Sequence, residues 1–201
     1  MRDRRRLRGA TTAALLLAVG GAVAVAATGL SAGSAAPAAR LDTSSAPVDD
    51  RPPYDWNAPP LGDGIAVPDV AAARAHLPFG PSVPDNAAAP SHVYVSDPAR
   101  SPRSEAAFAA VVHDPQYGPF QVLEQQTAMT EDQLEAWAES CNTCTIQRVA
   151  SVGQRRFLLL ASSGHGLAIS WLTGGTLHTI IGPEETLTEA NALALASATS
   201  G

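Results

Sequence analysis

The sequence predicts a small α+β domain: a curved, half-barrel-like antiparallel sheet with two or three helices packed on one face. Three observations predict it. Short segments rich in β-branched and aromatic residues fill the middle of the chain, glycine and proline turns join neighbouring segments, and amphipathic helical segments flank them. Strands joined by short turns pair antiparallel, and flanking helices bury the apolar residues of such a sheet.

The first 39 residues have the layout of an export signal. Five arginines within residues 2–8 precede an apolar stretch from Ala13 to about Ala27, and small residues follow, as in secretory signals. Continued through Leu30, the apolar stretch reaches 18 residues. Residues 1–39 are therefore predicted to be a cleaved signal peptide or an N-terminal membrane anchor. The protein is expected to be exported, either secreted or anchored to the outer face of the cytoplasmic membrane.

A proline-rich segment follows at residues 40–61, with Asp and Ser between the prolines. Such a composition buries too little apolar surface to order itself, which predicts a disordered tether. Tyr54 and Trp56 are exceptions that could fold back onto the domain. Residues 62–201 are then the single extracytoplasmic α+β domain, large enough for one core.

The domain is strongly acidic. From Arg40 onward the chain has eight arginines, no lysine and eighteen acids, which gives a net charge of −10. Nucleic-acid binding needs clustered cations, and an anionic membrane surface repels an acidic domain. We therefore expect no nucleic-acid partner, and contact with a membrane only through the N-terminal segment.

The first half of the domain contains one predicted helix and three strands. Proline suits the first position of the helix at residues 68–77, and Pro78 ends it. Residues 91–96 are β-branched and aromatic, which favours a strand. Residues 105–113 and 120–126 alternate apolar and polar side chains around a proline-glycine turn, which predicts a hairpin.

The second half begins with the clearest helix, residues 130–140, whose apolar side chains recur at helical spacing and which Thr130 can cap. Three or four strands follow, and Gly174-Gly175 is a two-residue hairpin signal between the last two. A final helix starts near Thr186 or Thr188 and runs to about residue 197. The predicted strands cover residues 145–150, 155–162, 167–173 and 176–181.

Cys141 and Cys144 form a Cys-x-x-Cys motif directly after the helix of residues 130–140. The dipole at a helix C-terminus disfavours a thiolate, and the chain has no second ligand pair with the spacing of a metal site. An exported location favours oxidation. The sequence therefore predicts a structural disulfide between Cys141 and Cys144, with redox sensing, unpaired thiols or metal binding as alternatives.

No catalytic, cofactor-binding or metal-binding residue is predicted. The five histidines lack metal-ligand spacing, and no phosphate-binding glycine loop occurs. His178 is expected to be a partly exposed side chain on a strand. Residues 162–166 contain serine and histidine without the nucleophile-elbow pattern, which favours a hairpin turn.

Four aromatic residues lie on the predicted strands. They are either ordinary core residues or part of a concave apolar face that receives a ligand. These possible ligand-lining residues are Phe108, Phe120, Phe157 and Trp171.

Several segments from Pro68 onward carry a family resemblance: Ala-His-Leu-Pro-Phe-Gly at residues 75–80, the hairpin at 108–124, and residues 167–171 leading through two glycines to residues 177–182. In this order they resemble a family of exported domains of unknown function. Those domains are often attached to anti-sigma factors and are similar in fold to LolA/RseB-type lipoprotein carriers. The resemblance implies a strongly curved antiparallel sheet and no catalytic residues. Carriers of this fold hold acyl chains, and sensor versions bind lipoprotein or protein partners.

The sequence thus predicts a non-enzymatic extracytoplasmic binding domain that engages an apolar, lipid-like ligand or an envelope protein partner. The alternatives are a secreted enzyme with an unrecognised active site and a purely structural cell-surface domain. No cofactor is expected, and the protein is expected to be a monomer.

Overall fold

The structure, a computed structural model, describes residues 55–61, 64–96, 105–140, 144–162 and 166–199. The predicted export signal, most of the predicted tether and Tyr54 lie outside these ranges. The elements in chain order are β1 (Gly64–Val67), α1 (Val70–Arg74), β2 (His92–Ser96), β3 (Ala107–Asp114), β4 (Gly118–Gln126), α2 (Glu131–Ser140), β5 (Cys144–Val152), β6 (Arg155–Ser162), β7 (Gly166–Thr173), β8 (Thr176–Gly182) and α3 (Glu189–Ser197).

The eight strands form one curved, open sheet in the order β1-β2-β3-β4-β8-β7-β6-β5. Every neighbouring pair is antiparallel. The sheet therefore consists of two four-stranded meanders that meet where β4 pairs with β8. The predicted α+β class and antiparallel sheet are confirmed.

The two predicted hairpins form as the sequence indicated. Strands β3 and β4 pair from Ala107 with Gln125 to Asp114 with Gly118. Between β7 and β8 the turn consists of Gly174 and Gly175, whose φ angles are 57° and 81°. Positive φ at both central residues is the requirement of a tight hairpin turn that matches the twist of the strands.

The start of the domain differs from the prediction in two ways. Strand β1 was not predicted, because four residues carry too little pattern and the strand depends on pairing with β2. Helix α1 is shorter than expected and starts at Val70. Asp69 is its N-cap, with an extended backbone and a side-chain oxygen that accepts from Ala72 N at 2.7 Å, so the helix cannot begin at Pro68.

Both faces of the sheet are buried. On the first, called the α3 face, Phe157 and Leu159 pack with Trp171 against helices α1 and α3 and against residues 77–88, called the strap. On the second, called the α2 face, Leu158 and Leu160 pack against Leu134 and Ala138 of α2. Successive strand residues point to opposite faces, which separates the two sets.

The prediction placed two or three helices on one face, whereas the structure places α1 and α3 on one face and α2 on the other. The physical reason is the uninterrupted apolar run in β6, which includes Leu158, Leu159 and Leu160 and needs cover on both sides. Residues 55–61 also cover the α2 face, since Trp56 packs there and Gln121 Nε2 donates to Trp56 O at 3.2 Å. This end of the predicted tether therefore belongs to the domain.

Candidate functional site

The strand register aligns one row of side chains across the α3 face. Phe108 of β3 lies opposite Glu124 of β4, Glu124 lies opposite His178 of β8, and His178 lies opposite Trp171 of β7. The ring of Trp171 meets that of Phe157 edge to face at 5.6 Å between centroids. The structure thus brings together three of the four predicted ligand-lining aromatics, with the fourth, Phe120, opposite Val112 on the same face.

These aromatic side chains fill the core. Phe108 and Phe120 are 0% exposed, and Phe157 and Trp171 are 1% exposed. They pack with Leu195 and other apolar residues of α3 and with α1 and the strap. The row therefore has the burial of a packed core between sheet and helices.

A polar network occupies the centre of this row. Glu124 is 1% exposed, and its Oε1 lies 2.9 Å from Nδ1 of His178 and 2.9 Å from Oγ of Ser82. Ser82 N also lies 3.2 Å from Glu124 Oε2. Ser82 thus donates both its N–H and its hydroxyl to this carboxyl group, and His178 makes the third contact through Nδ1.

The imidazole of His178 stacks on the indole of Trp171, with centroids 5.0 Å apart and an interplanar angle of 6°. Its Nε2 and the indole Nε1 of Trp171 are buried and have no hydrogen-bond partner in the part of the chain that the structure describes. His178 is 3% exposed, so the expectation of a partly exposed side chain is wrong. The register places His178 between Glu124 and Trp171 in the core, and this pairing is not visible in the sequence around His178.

The chemistry of the network differs from that of a serine hydrolase. In a Ser-His-acid triad the imidazole hydrogen-bonds the serine hydroxyl and acts as its base. Here the hydroxyl of Ser82 donates to Glu124 instead. The carboxylate therefore links the strap to the sheet, and a buried carboxylate with several donors is a satisfied structural group.

The far end of the strap is held by Asp114, at the end of β3. Its Oδ2 accepts from Ala88 N at 2.7 Å, and its Oδ1 accepts from Gln116 N and Tyr117 N at 2.7 and 3.0 Å. Burial opposes ionisation of this carboxyl, but the three backbone donors outweigh burial and lower the pKa of Asp114 below its ordinary value. The ionised form of Asp114 therefore fixes the strap to the turn between β3 and β4.

An open groove of about 640 Å³ lies where the β5–β6 turn meets the end of α3. The Nη1 atom of Arg155 donates to Thr199 O at 3.0 Å across it, and Phe157 reaches it from the core. Its lining mixes apolar, hydroxyl, amide and charged groups. The lining residues are Asp85, Val152, Gln154, Arg155, Phe157, Ser197, Ala198 and Thr199.

The two edges of the sheet are β1 and β5. Each edge carries exposed large apolar side chains: Ile65 on β1 is 40% exposed, and Val149 and Val152 on β5 are 42% and 47% exposed. Strand β5 has nine residues and β1 has four, so β5 offers the longer edge.

The predicted disulfide is not described by the structure. Cys141 lies outside the described residues, and Cys144 is described only through its backbone as the first residue of β5. The bridge between Cys141 and Cys144 stays a prediction. Among the described residues no group of three His, Cys, Asp or Glu side chains could hold a metal ion. None of their helices is long and apolar enough to cross a membrane.

Searches of protein-family models, of curated proteins and of solved structures find no match to this chain.

Proposed function

We propose that this protein is a non-enzymatic extracytoplasmic binding domain that engages a protein partner of the cell envelope. The observation that carries the proposal is the position of the accessible surface. Both faces of the sheet are covered, whereas the β5 edge exposes its valines next to the groove of about 640 Å³.

The burial of the aromatic residues favours a protein partner over an apolar ligand. Small-molecule pockets are concave and mostly apolar, but the four predicted ligand-lining side chains are at most 1% exposed. The groove, in contrast, carries the opposite charges of Asp85 and Arg155 beside apolar Val152. A surface that mixes charged, hydrogen-bonding and apolar groups suits a polypeptide better than an acyl chain.

The extracytoplasmic location rests on the sequence. Residues 1–39 have the layout of an export signal, and the resemblance is to exported domains that bind lipoprotein or protein partners. Residues 55–61 fold onto the domain, so the tether that remains is the part before residue 55. Such a tether would hold the domain clear of a membrane.

The test is crosslinking in the cells that export the protein. A photo-crosslinking amino acid replaces Gln154 or Ser197 at the groove, and Ala136 on the exposed side of α2 serves as the matched control. We expect adducts of one defined mass from the two groove positions and none from Ala136. Equal adducts from all three positions would contradict the proposal.

Two further measurements separate the alternatives. Mass spectrometry of the purified protein detects a bound lipid, and one equivalent of lipid per chain would support the apolar-ligand function instead. Turnover of an ester, peptide or glycoside substrate that follows the folded protein through purification would support the secreted enzyme. A purely structural domain would give neither lipid, turnover nor a groove-specific adduct.

A further inference from the structure

The outer edge of β5 is accessible. In the described sheet β5 pairs only with β6, so the backbone N–H and C=O groups that alternate away from β6 face outward. From Arg148 to Gly153 all side chains except the half-buried Ala150 are exposed. An exposed strand edge is a template for pairing with another extended chain.

The two edges are protected to different degrees. Natural sheets protect their edges by short strands, bulges and charges. Strand β1 is only four residues long. Strand β5 has one irregularity, a register shift between Ile146 and Arg148, after which Arg148 to Val152 pair regularly with Leu159 to Arg155. Beyond this bulge and the charged Arg148, the second half of β5 is regular, and no other described strand pairs with its outer edge.

Carboxylates flank this edge on both faces. On the α2 face Glu131 and Glu135 of α2 bind Arg156, and on the α3 face Glu189 of α3 binds Arg148. The chain from residue 40 onward carries a net charge of −10. Each of these carboxylates is already paired with an arginine, so the charge of the partner is argued from the domain as a whole. A net charge of −10 attracts a cationic strand, whereas a second copy of this chain would bring together two strongly negative domains.

We propose that the β5 edge from Arg148 to Val152 docks an extended, cationic segment of the partner, which adds one further strand to the sheet. The inference rests on the proposed function and names the chemistry of the partner. Val149 lies on the α2 face, opposite Leu158, and Val152 lies at the groove. Main-chain hydrogen bonds supply affinity in such strand addition, and alternate side chains supply specificity.

The probes are three synthetic ten-residue peptides. The first alternates valine and arginine, and the second alternates valine and glutamate. The third has the sequence of the first, but the backbone nitrogens that would donate hydrogen bonds to β5 carry N-methyl groups. Binding to the exported chain is measured by fluorescence anisotropy. Each lost backbone hydrogen bond removes about 1 kcal/mol, so N-methylation should weaken binding at least about tenfold, as should replacement of arginine by glutamate.

The site is located with two matched variants on opposite edges. Val149→Lys adds a charge at the proposed edge, and Ile65→Lys adds the same charge at a similarly exposed position of β1. We expect at least about tenfold weaker binding for Val149→Lys and less than about a twofold change for Ile65→Lys. Hydrogen exchange of the unmodified protein should show peptide-dependent protection confined to residues 148–152, which does not depend on any variant folding.

The outcomes separate this inference from the proposed function. Strand addition would be overturned, and partner binding left intact, if groove-specific crosslinks form but all three peptides bind equally. The same holds if groove-specific crosslinks form but the two lysine variants weaken peptide binding equally. A dimer that Val149→Lys dissolves would assign the edge to a second copy and would also overturn the inference. The absence of any groove-specific adduct would reject the proposed function itself.

Discussion

The two faces of the sheet are covered in different ways. On the α3 face the cover is α1, the strap and α3, and the buried Glu124 ties the strap to the sheet. On the α2 face the cover is one helix and residues 55–61, with half-exposed ion pairs of Arg156 to Glu131 and Glu135 holding α2. Surface ion pairs contribute little, whereas each buried polar group that loses its hydrogen-bond partner costs about 1–3 kcal/mol. The comparison indicates that the α3 face defines the fold and that the α2 face tolerates change.

The largest difference is expected between two tryptophans, one on each face. Trp171 is 1% exposed on the α3 face, whereas Trp137 is partly buried on α2. Trp171→Ala should lower the free energy of unfolding by about 3–5 kcal/mol, because it leaves a large cavity in the core. Trp137→Ala should lower it by about 1–2 kcal/mol, since less apolar area is lost from burial. Urea unfolding of both variants provides the measurement, and equal losses would refute the ranking of the faces.

Two buried polar residues of β4 sharpen the comparison. Glu124 on the α3 face and Gln121 on the α2 face are both at most 1% exposed. Glu124→Ala leaves the N–H and hydroxyl of Ser82 and the Nδ1 of His178 without their partner and should cost about 3–5 kcal/mol of stability, since each unsatisfied buried polar group costs about 1–3 kcal/mol. Gln121→Ala leaves the carbonyls of Trp56 and Ala58 without this donor and should cost about 1–3 kcal/mol. The same unfolding assay measures both, and Glu124→Gln, which retains shape, should fall between wild type and Glu124→Ala.

The predicted disulfide would reinforce the exit of α2. Its loop is very short, so the loss of both cysteines should remove only about 1–2 kcal/mol. The double variant Cys141→Ser/Cys144→Ser should therefore melt at a lower temperature but still fold. A strong thiol should lower the melting temperature of wild type by the same amount and leave the double variant unchanged. Titration of two free thiols in the native protein would show that no bridge forms.

The smallest effect is expected on the pH dependence of stability, through the hydrogen bond of Asp114 to the strap. The pKa of Asp114 is lowered in the folded protein from an ordinary value of 3.8, because backbone donors outweigh its burial. Its contribution to stability is therefore fully present above pH 3.8 and is lost as the pH falls through the folded-state pKa. Asp114→Asn should make unfolding stability less dependent on pH in this acidic range. An unchanged pH profile in the variant would show that Asp114 does not hold the strap through its charge.

Local pattern was enough to predict most elements of the fold. The helical spacing of residues 130–140 and the glycine pair at 174–175 are decided within a few residues, and both appear as predicted. Strand β1 escaped prediction because it is stabilised by β2, 25 residues beyond its last residue. The placement of helices depends on which strand faces remain uncovered, and that is a property of the whole sheet.

The candidate site was less predictable, for a related reason. The Glu124–His178 contact joins residues 54 positions apart, and neither residue has a local signal for burial. The aromatic residues were predicted as strand residues, but only the register shows that three of them share one row with the buried Glu124 and His178.

The meeting of the two meanders at β4 and β8 has a consequence for how the chain reaches this structure. Within each meander, every pairing joins strands that are consecutive in sequence, so these contacts close shorter loops. The β4–β8 pairing closes a far longer loop, because Glu124 and His178, which contact each other in this pairing, are 54 residues apart. Folding slows as the share of distant contacts rises. The hairpins should therefore form early and independently, and the pairing of β4 with β8 should be the late step that sets the folding rate.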